Sequence, residues 1–209
     1  MTEATTIKEL IQAVDRADSA DELLDAVENL SEKKHKDAIP TLIEVLGFNN
    51  PGAAVAAVEG LINIGEPVVP ILLEQLDGYN YGARAWATRV FAGIGDPRAL
   101  DLLLSAASSD FSLSVRRAAA KGLGIIRWSK LPEQEILPAQ TQVLKTLFQV
   151  SEDPEWVVRY AAVLGLQSLA LIVPDFNAEV VEFLKKLGNN DAELAIRSRV
   201  QMALNVLMQ

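Results

Sequence analysis

VRRAAAKGLGII, residues 115–126, and VRYAAVLGLQSL, residues 158–169, are two copies of one helical pattern, with an arginine second, small residues in the middle and a glycine eighth. Three more stretches stack on the same template, V-R-x-x-A-A-x-G-L-G-x-I: AAVAAVEGLINIG from Ala53, ARAWATRVFAGIG from Ala83 and IRSRVQMALNVL from Ile196. The second position is then Ala54, Arg84, Arg116, Arg159 and Arg197, at spacings of 30, 32, 43 and 38. A period of this size, with two helices in each, is the signature of an α-solenoid. The fold class expected is all-α, an α-α superhelix of about five helix pairs.

Outward from these second helices, apolar periodicity places the first helix of each pair at 38–46, 68–76, 99–107, 142–150 and 179–187. The eighth template position is Gly60, Val90, Gly122, Gly165 and Ala203. Glycine inside a helix costs about 1 kcal/mol against alanine, so its recurrence there points to close helix packing. Residues 129–140, with Pro132 and Pro138, read as a loop or linker. Thr6 is an expected N-cap for a helix over 7–17, and Ser19 with Glu22 is a capping box opening a second helix to about Leu30. These two helices make an acidic lead-in, which divides the chain into an N-terminal helical cap, 1–36, and a repeat solenoid, 37–209.

The chain has 209 residues, no cysteine and one histidine, His35, set in a charged run. Disulfides, thiolate metal sites and any mechanism that carries a group on the protein's own sulfur are excluded. His35 reads as a surface residue, and no metal site is expected. No apolar run reaches the roughly 20 residues of a membrane span, and residues 1–9 lack a signal-peptide pattern, so a cytoplasmic protein is expected. The net charge of −9 is uneven: −10 over residues 1–83, +5 over 84–130 and −4 over 131–209. Nucleic acid favours a broad positive face, so a small anion bound at the basic middle fits better than a nucleic-acid partner.

That middle holds DGYNYGARAWATRVFAGIGDP, residues 77–97. It reads as a turn feeding a helix that Gly95, Asp96 and Pro97 stop. At about 100° per residue, Ala83, Ala87, Val90, Phe91 and Ile94 form one core stripe. Trp86, Arg89 and Gly93 share one flank, which reads either as a groove lined by an indole, a guanidinium and a missing side chain or as a partly core Trp86 beside a solvated Arg89, and Arg84 and Thr88 lie on the other.

The architecture resembles the HEAT-like repeats over residues 37–209. Those repeats commonly carry an aspartate six residues before the template arginine, the pair stacking into a ladder. Asp110 and Arg116, Asp153 and Arg159, and Asp191 and Arg197 keep that spacing. Six residues before Arg84 is Gly78, so Arg84 either uses Asp77 or a neighbour or, of the ladder arginines, is the one best placed to take an anion. Arg117 lacks such an aspartate too, since that position is Phe111, and is favoured over Arg116 as a ligand contact. A sharper resemblance lies in residues 78–107, GYNYGARAWATRVFAGIGDPRALDLLLSAA, and 114–128, SVRRAAAKGLGIIRW. Both are similar to the F-type (beta) subunit of the E/F-type phycobilin lyases, which attach open-chain tetrapyrroles to cysteines of phycobiliproteins.

The resemblance implies a bilin lyase active as a heterodimer with an E-type subunit and weakly active alone. Phycocyanobilin is then the substrate, no cofactor is needed, and the acceptor is the apo-phycocyanin α subunit. The acceptor's thiolate adds to the ethylidene group of ring A to form a thioether, while the lyase positions, shields and supplies a proton. Arginine forks suit carboxylates, so Arg84, Arg89 and Arg117 are candidates for the two propionates. Tyr79, Tyr81, Trp86 and Trp128 are candidates to stack on the rings, and Asn80 to contact the pigment. Asp96 and Tyr81 are the candidate acids; Asp96 is also a candidate to accept from the pyrrole nitrogens, with an equal structural claim in closing the turn after Gly95. Isomerising relatives carry Asn-His-Cys-Cys where this chain has Asn80-Tyr81-Gly82-Ala83, which implies simple attachment. The partner surface is expected on 7–30 or 196–208. The competing readings are a noncatalytic adaptor, a protein that binds phycobilisomes during disassembly, and a lyase for another bilin.

Overall fold

The computed structural model describes residues 3–75 and 81–209. Among them are twelve α-helices and no strand: α1 Glu3–Arg16, α2 Ala20–Glu32, α3 Ile39–Val45, α4 Pro51–Ile64, α5 Val68–Gln75, α6 Tyr81–Ile94, α7 Leu100–Ser109, α8 Leu113–Leu123, α9 Glu133–Val150, α10 Trp156–Ile172, α11 Asn177–Asn190 and α12 Leu194–Leu207. The chain forms two compact units, Met1–Ile94 and Gly95–Gln209. In the first, α2 packs on α4 and α4 on α6; in the second, α8 packs on α10 and α10 on α12. The template helices therefore stack on one another, as a solenoid requires.

Local chemistry sets the helix ends. The Ser19 hydroxyl accepts from the Glu22 N–H, and the Glu22 carboxylate accepts from the Asp18 N–H, so the capping box forms with its return bond one residue early. His35 is half-buried and takes a capping position, its Nδ1 accepting from the Asp37 N–H. Thr6, expected to cap α1, lies inside it, because the helix already begins at Glu3. The expected linker 129–140 is mostly helix. Pro132 sits at the N-cap of α9, and Pro138, inside the helix, removes only the bond to the carbonyl of exposed Gln134, which water can reach.

The small residues let helices approach. A methyl on Gly60 of α4 would run into buried Ser31 of α2, whose hydroxyl donates to the Ala56 carbonyl. A methyl on Gly165 of α10 would lie 2.5 Å from the Ala120 carbonyl of α8. The expected core stripe of α6 is wholly buried: Ala83, Ala87, Val90, Phe91 and Ile94.

The arginine ladder exists, with a different pairing from the one expected. Arg116 Nε and Nη2 donate to the Asp153 carboxylate of the next repeat at 2.7 and 3.1 Å, and Arg159 grips Asp191 the same way at 2.8 and 3.0 Å. The remaining nitrogen, Nη1, turns back to its own repeat. It donates to the Asp110 and Phe111 carbonyls from Arg116, to Asp153 and Pro154 from Arg159, and to Asp191 and Ala192 from Arg197. The spacing of six thus places each arginine on its own turn's backbone, while the charge partner comes from the following turn. Gly78 in place of an aspartate consequently carries no information about whether Arg84 has a carboxylate partner.

Candidate functional site

In the first unit, α6 carries four of the expected contacts, three of them with described side chains. Arg84 is half-buried near its start, and the Thr88 hydroxyl donates to the Arg84 carbonyl at 2.9 Å. Trp86 and Arg89, one turn apart, come together: the guanidinium carbon lies 4.3 Å from the centre of the indole ring. Such a cation–π contact holds both side chains in place. Gly93 does not extend a groove along this flank, because Ile62 of α4 fills the space where its side chain would be. Tyr79 and Asn80 lie outside the described residues, and Tyr81 opens α6 with its side chain outside them too.

Beside Trp86 is a cleft of about 300 Å³, lined by residues 46–51, which join α3 to α4, together with Ala83 and Trp86. Phe48 stands 39% exposed at its wall. Asn50 fixes the connection, its Oδ1 accepting from the Ala53 N–H at the start of α4 and its Nδ2 donating to the Ala20 carbonyl of α2. Sequence reasoning missed this wall. The available signal was an aromatic residue, Phe48, placed inside the turn-forming run Gly47 to Pro51.

In the second unit the expected contacts divide. Arg117 is exposed on α8. Trp128 is not an open stacking face: at 6% exposure it is a core residue of the single turn Trp128–Lys130, and its indole N–H has no acceptor among the described residues. Asp96 is buried, and both its oxygens are taken. Oδ1 accepts from the Arg98 N–H and Nε, each at 2.9 Å, and Oδ2 from Arg98 Nη2 at 2.8 Å. The Arg98 guanidinium holds this carboxyl below the usual carboxylate range despite its burial. A carboxylate so held stays ionised and is a poor proton donor at neutral pH; its geometry is that of the cap on Pro97–Ala99. Next to it, Gly95 has φ +67°, and the Ile125 carbonyl packs where its side chain would be.

The stacked helix pairs define a class: a helical-repeat protein. HEAT repeats are matched over residues 7–79 and 69–137, and a further HEAT repeat over 143–173. The phycocyanin alpha phycocyanobilin lyase CpcF of Synechocystis sp. is 53% identical over 198 residues, 95% of this chain and 92% of the relative. The phycocyanobilin lyase subunit beta of Nostoc sp. is 50% identical over 195 residues, 93% of this chain and 97% of the relative. The solved complex of CpcE and CpcF of phycocyanin lyase from Nostoc sp. contains a chain matched with a TM-score of 0.76 at 50% identity, covering 81% of this chain and 99% of that one. The chain belongs to the family of phycocyanobilin lyase beta subunits. No helix among the described residues is long and apolar enough to cross a membrane.

Proposed function

We propose that this chain is the beta subunit of a heterodimeric phycobilin lyase, which with an E-type partner binds phycocyanobilin and promotes its thioether attachment to a cysteine of the phycocyanin α subunit. The observation that carries the reading is the identity of about half of all positions with lyase subunits across nearly the full length of both chains. The pigment is the substrate, no cofactor is required, and the reaction runs in the cytoplasm.

The chain has no cysteine, so the nucleophile is the acceptor's thiolate. Its addition to the ethylidene carbon forms one carbon–sulfur bond and takes up one proton. The work left to this chain is holding and orienting a flat dicarboxylate, which lowers the barrier by removing the entropy of encounter. Trp86, immobilised under Arg89, offers a ring surface, and Arg84 and Arg89 supply guanidinium groups suited to propionates. Arg117, exposed on the second unit, is a separate candidate for a carboxylate. Asp96 is left out of the proton transfer, because Arg98 keeps it ionised.

The test is a titration of phycocyanobilin into the chain with its E-type partner, followed by absorbance. Binding shifts and sharpens the pigment band, and Trp86→Ala or Arg84→Ala weakens the shift. A wild-type pair that leaves the spectrum unchanged overturns the lyase reading in favour of the noncatalytic adaptor.

A further inference from the structure

The cleft between residues 46–51 and α6, as its described residues line it, encloses less than the whole pigment. At about 300 Å³ it lies at the bottom of the range of roughly 300–1,000 Å³ found for pockets that take drug-sized ligands. One substituted five-membered ring fits such a volume; four conjugated rings do not. Its lining, Leu46, Gly47, Phe48, Asn49, Asn50, Pro51, Ala83 and Trp86, contains no lysine or arginine. The inner rings of an open-chain tetrapyrrole carry the propionates and have no reason to enter. The outer rings are uncharged lactams, each with one N–H and one C=O, and these match an aromatic-walled space with a few amides.

Resting on the bilin-binding reading, we propose that this cleft is a one-ring subsite for the outer lactam ring at the far end of the pigment from the reacting one, with Phe48 and Asn49 as its positioning residues. The reacting ring must stay open to a thiolate on another protein, so it is the opposite outer ring that can be enclosed. Among the described residues, Phe48 and Trp86 are the aromatic side chains of the lining. Arg89 is not among the lining residues; its guanidinium lies against the indole and keeps Trp86 in position. Asn50 is spent on the α2 and α4 backbones, which makes the wall firm. Asn49 is exposed and makes no hydrogen bond to the protein among the described residues, which leaves its amide available to the lactam. Holding one end of a flexible chain of rings restricts where the other end can lie, which is how an enclosed far ring would orient the reacting one.

The experiment compares two ligands on the heterodimer: phycocyanobilin, and a tripyrrole that lacks the far outer ring and keeps both propionates. Phe48→Ala is expected to raise the Kd for phycocyanobilin about tenfold, as loss of an aromatic wall does, and to leave the tripyrrole's Kd unchanged. Phe48→Leu falls between, and Asn49→Ala raises the phycocyanobilin Kd by a smaller factor without changing the thermal midpoint. Equal weakening of both ligands, or none of either, with the wild type binding pigment normally, overturns the subsite and leaves the lyase reading standing. A wild-type heterodimer that binds neither ligand overturns both.

Discussion

Replacing Asp191 with asparagine removes one negative charge from the ladder while keeping the turn, since an asparagine oxygen can still accept the Glu193 N–H that Asp191 Oδ1 accepts at 2.8 Å. What is lost is the forked contact with Arg159, whose Nε and Nη2 lie 2.8 and 3.0 Å from the two carboxylate oxygens. The side chains of Arg159 and Asp191 are only 14% and 5% exposed, so water cannot replace the missing charge. Removing one partner of a buried pair costs about 3–5 kcal/mol, and the arginine's partial exposure favours the lower end. At about 2–4 °C per kcal/mol for a chain of this size, the thermal midpoint falls by roughly 6–12 °C. Arg159 also holds the Asp191 carboxyl below its ordinary range. A group depressed in this way contributes stability above its unfolded pKa, near 4, and loses it as the pH falls through the folded value. The gap between wild type and Asp191→Asn is therefore full at pH 7 and narrows below about pH 4. Denaturant melts of wild type, Asp191→Asn, Arg159→Met and the double variant supply both the cost and the coupling. A cost under about 1 kcal/mol, the value of a surface ion pair, or a gap that persists at low pH, refutes the reasoning.

Other substitutions follow from the same geometry. Asp96→Asn lowers stability by about 1–3 kcal/mol through loss of a cap and a charge-assisted bond, and leaves the pH profile of ligation unmoved; a profile that loses its acidic limb would make Asp96 the proton donor after all. Gly165→Ala forces a methyl against the Ala120 carbonyl and lowers stability by about 1–3 kcal/mol in a thermal melt. Arg199 of α12 is buried, its Nη2 donates to Gln167, its Nε has no acceptor among the described residues, and burial pushes its guanidinium below the usual value. Arg199→Met combined with Gln167→Leu is accordingly neutral or stabilising by about 1–4 kcal/mol in denaturant titration; a loss of several kcal/mol would mean that the pair holds the last helix in place.

Much of the fold was legible because periodicity is a local signal. The stripe Ala83, Ala87, Val90, Phe91 and Ile94 is buried as the helical wheel required, and Gly60 and Gly165 mark close helix approaches. The ladder was visible as a spacing of six, but spacing sees only one repeat at a time. The bonds from Arg116 to Asp153 and from Arg159 to Asp191 depend on how repeats stack. Pro138 misled because a proline early in a helix, opposite an exposed carbonyl, does little to stop it. Of the expected contacts, Trp86 and Arg89 were found together because three residues on a helix make neighbours. Trp128 was misplaced because nothing in a tryptophan's sequence context says which side of a short turn its ring takes. The cleft depends on a connection 35 residues before Ala83, and its local sign, Phe48 in a turn-forming run, does not say which helix that run meets.

The central claim, that this chain holds pigment for transfer, is tested most directly by covalent ligation. The chain, its E-type partner, phycocyanobilin and apo-phycocyanin α subunit are mixed, and pigment that remains attached to the acceptor after denaturation is measured. Rapid attachment is expected from the complete mixture, slow attachment when this chain is left out, and a loss of at least about tenfold with Trp86→Ala and Arg89→Ala combined. Attachment at the same rate with and without this chain would contradict it.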